Sequence, residues 1–276
     1  MSRSLSSLTP DEVASLKSNK EVGRFALVRT VGALILREMA VTYGRSPGGY
    51  IWALLEPILG IGLLVLIFSI SFRAPPIGNS FALYYATGML SLGMVTSTIG
   101  KVSQSINYSR QLLNYPRVTF MDAILARFIL NLLTQSVVTS ILLTAICWTT
   151  DTRSAFHLGR YLGSLAMGAG LGLGIGMLLC TLISQHPIYQ TIWGVLTRPL
   201  FLISGVLIPH ESIPEPYQTW LDWNPIVHVV AQMRLAFYYS YQAEYLDITY
   251  VCIVALICGA SGMFFLRRYY RNMMEK

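Results

Sequence analysis

Two ionisable side chains, Glu56 and Arg198, stand inside long apolar runs. Glu56 lies eight residues past Gly48 and Arg198 ten past Ile188, where the runs begin. At about 1.5 Å per helical residue they lie roughly 12 and 15 Å into those runs. An isolated charge at that depth in lipid costs at least about 2.5 kcal/mol. Either the two meet or share a polar pathway, or each faces water or a headgroup separately. Other residue types suited to chemistry are scattered. Gly100-Lys101 invites comparison with a phosphate loop, but the loop's first glycine would fall at Val95 and Val102 stands where Ser or Thr is required. His186, His210 and His228 lie apart among loop residues, and Cys147, Cys180, Cys252 and Cys258 sit in apolar segments, as buried thiols do. No metal-ligand spacing, cofactor loop or catalytic motif is present. Any uphill movement would draw its energy from a partner or an ion gradient, and an ion-coupled carrier would carry more deep titratable groups and an internal repeat.

The elements that position these residues are apolar helices. The chain has 276 residues, 54% hydrophobic and 12% charged, where a soluble domain carries about 25% charged residues. Its mean hydropathy is +0.54. That is too little charge to cover a water-exposed surface, and the composition implies an all-α integral membrane protein. The net charge of +7 reads as the cytoplasmic collar of such a protein rather than as a nucleic-acid site. The start of the chain shows no charged segment followed by an apolar core, so no cleaved signal is expected.

Residues 1–24 form a polar cytoplasmic segment in which Thr9-Pro10-Asp11-Glu12 opens a short helix with a capping-box pattern. Residues 25–47 form an amphipathic interface helix and an elbow, since Phe25–Leu36 is too short to cross a core of about 30 Å and Pro47, Gly48 and Gly49 disfavour one continuous helix. Six spans follow within 48–266, at about 48–72, 80–100, 120–148, 161–183, 188–207 and 248–266. The fourth carries overlapping GxxxG spacings that let helix backbones approach closely in lipid. Residues 208–247 mix prolines, aromatics and acids and suit re-entrant half-helices. Residues 267–276 form a basic tail. Six spans place both ends on one side, and that side collects Arg24, Arg29, Arg37, Arg45, Lys101, Arg110, Arg117, Arg267 and Arg268. Both termini are therefore expected in the cytoplasm.

The basic stretch 101–118 is either a plain connector or a docking helix, from about Ser103 to Leu113, that inserts into a cytoplasmic subunit. Of the abundant aromatics, most form interfacial belts. Tyr84, Tyr85, Tyr189 and Trp193 could instead stack on sugar faces in a pathway.

One stretch, REMAVTYGRSPGGYIWALLEP from Arg37 to Pro57, resembles the signature of permease subunits of type-2 ABC exporters that move polysaccharides. It carries Arg37, Glu38, Tyr43, Ser46, Gly49, Tyr50, Trp52, Glu56 and Pro57 in that pattern. Asn114-Tyr115-Pro116-Arg117 with Asp122 and Ala126-Arg127 is similar to the family's second-to-third loop, and Ser204 to Val230 to its external re-entrant region. The details resemble capsular polysaccharide permeases, with O-antigen and teichoic acid permeases as relatives and small-lipid or drug exporters sharing the fold.

The resemblance implies a homodimer in the bacterial inner membrane, paired with two copies of an ATP-binding subunit that alone binds ATP and Mg. It implies a lipid-linked polysaccharide as cargo, passed to a periplasmic adaptor and an outer-membrane channel. Coupling to the ATPase would fall to Ser103, Ile106, Asn107, Arg110, Gln111, Asn114, Tyr115, Pro116 and Arg117. Contact with the lipid headgroup would fall to Arg37, Tyr43, Arg45, Tyr50 and Trp52. Glu56, Arg198, Tyr84 and Tyr85 would line the pathway, and Trp223, Asn224, Pro225 and His228 would form the periplasmic gate.

Overall fold

The structure, a computed structural model, describes residues 26–43, 49–113, 119–150 and 156–275. The helix expected at Thr9–Lys20, the Ser46-Pro47-Gly48 turn with Arg45, and Asn114 to Arg117 lie outside them. Every regular element among the described residues is helical. In chain order these are α1 (Ala26–Tyr43), α2 (Gly49–Ser71), α3 (Phe81–Ser103), α4 (Ser105–Leu113), α5 (Phe120–Thr149), α6 (Leu158–Gln185), α7 (Ile188–Ile203), α8 (Tyr217–Asp222), α9 (Pro225–Phe237) and α10 (Ile248–Glu275), with a 3-10 turn at His210–Ser212.

Among the described residues, four helices are long and apolar enough to cross a membrane: α2 over Ile51–Ser71, α5, α6, and α10 over Ile248–Tyr269. α3 has the length, at 23 residues, but Ser, Thr, Tyr and Gly dilute it. The other helices bury most of it. α7 has 16 residues, about 24 Å of helix, shorter than the run expected to 207. Its end is set by Gly205, whose φ of 72° turns the backbone out of the helix.

α6 is the central column. Gly168, Gly172 and Gly176 face α3, where a Cβ on Gly172 would sit 2.6 Å from Thr98 Cβ and one on Gly176 2.8 Å from Val102 Cβ. On the opposite flank Gly174 lies on the backbone of Ala255, and a Cβ on Gly262 would fall 2.6 Å from the Leu178 nitrogen. The GxxxG spacings thus serve two partners, α3 and α10, by backbone approach in lipid. α9 fills the cleft beside them, with every residue from Ile226 to Arg234 buried.

α2 and α7 are the least covered of the long helices. Leu59, Leu63, Leu66 and Ile70 on α2 point outward, and no residue of α7 is buried. Of the four thiols, all free, only Cys180 is fully buried. Cys252 is exposed, which corrects the expectation of uniformly buried thiols: an apolar neighbourhood in sequence also describes a helix face turned to lipid or to another chain.

Candidate functional site

The helix ends sort the polar residues into two groups. One end gathers α4, the starts of α2 and α5, and the ends of α3, α6 and α10, held by a cluster of Val102, Ile106, Ile124, Cys180 and Leu266. Here α4 is set off from α3 by a break at Gln104. Ser103 and Ile106 are buried, the former donating to the Gly100 carbonyl at 3.2 Å. Asn107, Tyr108 and Arg110 face outward. Of the residues expected to meet an ATPase, two therefore seat α4 while Asn107 and Arg110 remain free to dock. α5 begins with a capping box: Thr119 Oγ1 accepts from the Asp122 amide at 3.3 Å, and the Asp122 carboxylate accepts from the Thr119 amide at 2.9 Å.

The centre of this end is Arg127, on α5. Its guanidinium is buried and lies 2.8 Å from the Glu38 carboxylate of α1, with a second hydrogen bond from Nε at 3.0 Å. Its flat face covers the Tyr108 ring of α4 at 4.3 Å. One side chain thus ties α1, α4 and α5 together. The sequence showed Glu38 and Arg127 as motif residues but not as partners, because 89 positions separate them. The available signal was Glu38 standing alone as an acid among basic residues of 24–45.

Glu56 and Arg198 are not brought together within the chain: no ion pair joins them among the described residues. Both are exposed, on α2 and α7. Glu56 instead borders a cavity of about 620 Å³ with Trp52, Lys101, Asn131 and Gln135. Arg37 is exposed on α1. Tyr43 and Tyr50 lie in described helices.

The other end is built on aromatic rings and buried histidines. Tyr84 and Tyr85 are core residues of the single chain, fully buried, so neither presents its ring to an outside path. Arg234 of α9 stacks on Tyr84 at 4.3 Å and donates to the Val206 carbonyl at 3.3 Å. It has no carboxylate partner among the described residues, and its Nε is unpartnered. His228 is buried; Nε2 donates to the Asp222 carbonyl at 2.9 Å and Nδ1 accepts from the Asp247 amide at 3.2 Å, a use of both nitrogens that fits the neutral ring. His210 lies 2.6 Å from an Asp222 carboxylate oxygen and stacks on Tyr245. Asn224 caps α9, accepting from the Ile226 amide at 3.1 Å, and donates to the Ile203 carbonyl at 3.1 Å. Pro225 fits the first turn of α9, and Tyr250 donates to the Trp223 carbonyl at 2.7 Å. Trp223, Asn224, Pro225 and His228 thus form a clip that joins α7, α9 and α10, with the Trp223 ring itself exposed. Arg234 gave no sign of its burial in sequence, where it belonged to an acidic, proline-rich stretch.

Comparison with known proteins gives this arrangement a setting. The ABC-2 type transporter family matches residues 29–238. The chain is 30% identical over 237 residues to the polysialic acid transport protein KpsM of Escherichia coli, covering 85% of this chain and 91% of that protein. It is 26% identical over 250 residues to the capsule polysaccharide export inner-membrane protein CtrC of Neisseria meningitidis serogroup B, covering 89% and 92%. It is 23% identical over 249 residues to BexB of Haemophilus influenzae, a capsule polysaccharide export inner-membrane protein, again covering 89% and 92%. With four membrane-length helices among the described residues, one of them the glycine-lined column, and a match over most of its length, the chain belongs to the ABC-2 type transporter family of membrane permeases.

Proposed function

We propose that this chain is the permease subunit of an ATP-driven exporter that moves lipid-linked capsular polysaccharide across the inner membrane. The observation that carries the reading is the near-full-length similarity to capsule export inner-membrane proteins. In this reading α3 and α7 join the four membrane-length helices as spans, giving six. The ends of the chain and α4 face the cytoplasm, as the excess of Lys and Arg there favours. α1 lies at the interface, and α8 and α9 enter and leave on the periplasmic side.

Two copies associate through faces that include the uncovered flanks of α2 and α7, where Glu56 of one copy can answer Arg198 of the other. ATP and Mg bind to a separate subunit, also in two copies, which docks on Asn107 and Arg110 of α4 and the following Asn114 to Arg117. Arg37 and Arg45 meet the phosphate of the lipid anchor. Arg127 carries movement of α4 to α1 through Tyr108 and Glu38. The Trp223–His228 clip shapes the outer mouth, from which cargo passes to a periplasmic adaptor and outer-membrane channel.

Purification of the chain with and without a co-expressed ATP-binding subunit tests the reading. A stoichiometric complex, weakened by Arg110→Glu, is expected, together with restored surface capsule in a strain lacking its permease. Absence of any ATP-binding partner, with no restored capsule, would overturn it.

A further inference from the structure

The cavity beside Glu56 has a built interior. Met89, which borders it, also packs so tightly on Gly60 of α2 that a Cβ at position 60 would overlap the terminal methyl. Trp52, Glu56, Ser97, Lys101, Asn131 and Gln135 line the cavity.

The two amides are locked. Asn131 Nδ2 donates to Ser97 Oγ at 3.2 Å and to Thr98 Oγ1 at 3.0 Å. Gln135 Nε2 donates to the same Ser97 Oγ at 2.8 Å and to the Gly93 carbonyl at 3.4 Å. With both nitrogens engaged on α3, the amide oxygens are left as acceptors that receive no hydrogen bond among the described residues. Glu56 and Lys101 are likewise in no ion pair among them.

The cavity therefore offers three acceptor groups and one ammonium around an indole, on three helices of a membrane protein. Polar groups facing such a cavity favour a ligand or water that satisfies them. The balance of groups selects a ligand. Many donors are wanted, and one negative charge. A second negative charge would meet Glu56.

We infer that this wedge, inside each single chain, binds a hydroxyl-rich group bearing one negative charge, a sugar acid or a polyol phosphodiester. Its hydroxyls donate to Glu56, Asn131 and Gln135. Its anion rests on Lys101, and its carbon face lies against Trp52. The inference deepens the export reading by locating a cargo subsite within the protomer, but the binding itself needs neither a second copy nor ATP.

The test is equilibrium binding to the full-length chain in lipid nanodiscs, followed by tryptophan fluorescence, with glucuronate and the diester glycerophosphoglycerol as probes and glucose as the uncharged control. Saturable binding of either anionic probe is expected, at least tenfold tighter than glucose. It should weaken at least tenfold in Lys101→Gln and in Gln135→Leu, both eluting as the wild type does. The optical change should be lost in Trp52→Phe. Saturation by glucuronate alone would assign the wedge to the glycan, and saturation by glycerophosphoglycerol alone to the lipid end; either supports the site. No saturation by either probe, or saturation equal in wild type and both variants, would mean a water-filled wedge and overturn it. Capsule restoration by the wild-type chain is scored separately, so loss of the subsite leaves the export reading standing.

Discussion

The two ends of this molecule each hold a buried arginine, and they hold it differently. Arg127 is paired with a carboxylate from another helix and lies on the ring of a third. Arg234 has no acid partner among the described residues; a tyrosine ring and one backbone carbonyl hold it. A buried charge with a carboxylate partner keeps its energy in one contact that can be exchanged when the helices move. A buried charge held by rings and a carbonyl has its energy spread over a rigid surround, and any shift of α9 would strand it. The first arrangement suits the end at which we propose a partner subunit docks. The second suits a fixed frame at the opposite mouth.

The contrast is sharpest under substitution of the two arginines. Arg234→Ala should be the most damaging change, removing a contact worth about 2 kcal/mol when desolvated and opening a void beneath Gly88 and Val206. A marked fall in detergent melting temperature is expected, with little recovery in Arg234→Lys, whose ammonium cannot lie flat on Tyr84. A wild-type melting curve for Arg234→Ala would break the comparison.

Next in size is the clasp. Glu38→Gln should leave Arg127 buried without its counter-charge, a loss of about 1–2 kcal/mol once the cost of breaking a buried pair is discounted for the partial exposure of Glu38. The measured consequence should be impaired export while the ATP-binding subunit still co-purifies. The exchange Glu38→Arg with Arg127→Glu should restore part of it, and if it restores nothing the pair is no exchangeable contact.

A smaller effect is expected of the phenols beside His210. Tyr241 and Tyr245 share a hydrogen bond of 2.9 Å. Burial raises the Tyr241 hydroxyl from the usual 10.0 to about 12, and raises Tyr245 as well. The neutral phenol is thus favoured in the fold. Its contribution is full below pH 10 and is lost as pH rises toward 12. Absorbance titration at 295 nm should show Tyr241→Phe removing a late-ionising phenol. Smallest is Thr119→Ala, which removes one half of a capping box at a cost of about 1 kcal/mol and should lower the melting temperature slightly without changing export.

The helices were legible because their apolar runs are long and their breaks carry proline, glycine or polar clusters. The ends of α5, α6 and α10 fall within a few residues of the expected positions at the 120, 161 and 248 boundaries, and α10 continues past its apolar run because the helix has no stop there. Glu56 and Arg198 show the limit. Rise per residue gives depth along one axis and nothing about direction around it, so two charges at matching depth can stand on helices that do not meet. The Glu38–Arg127 contact needed the α1–α5 packing, which no local pattern encodes. The burial of Arg234 was illegible for the same reason: its surroundings in sequence are loop-like, and only the seating of α9 against α3 and α6 buries it.

The glycine column also bears on how the chain is assembled during synthesis. α3 is made before α6, so one face of the column finds its partner as soon as it is inserted. The other face, with Gly174, has its partner in α10, which is made only after α7, α8 and α9. Until then a strip of bare backbone faces lipid or a chaperone. A chain cut short before Ile248 would keep every residue named at the docking end except those of α10 and still lack half the support of its central helix.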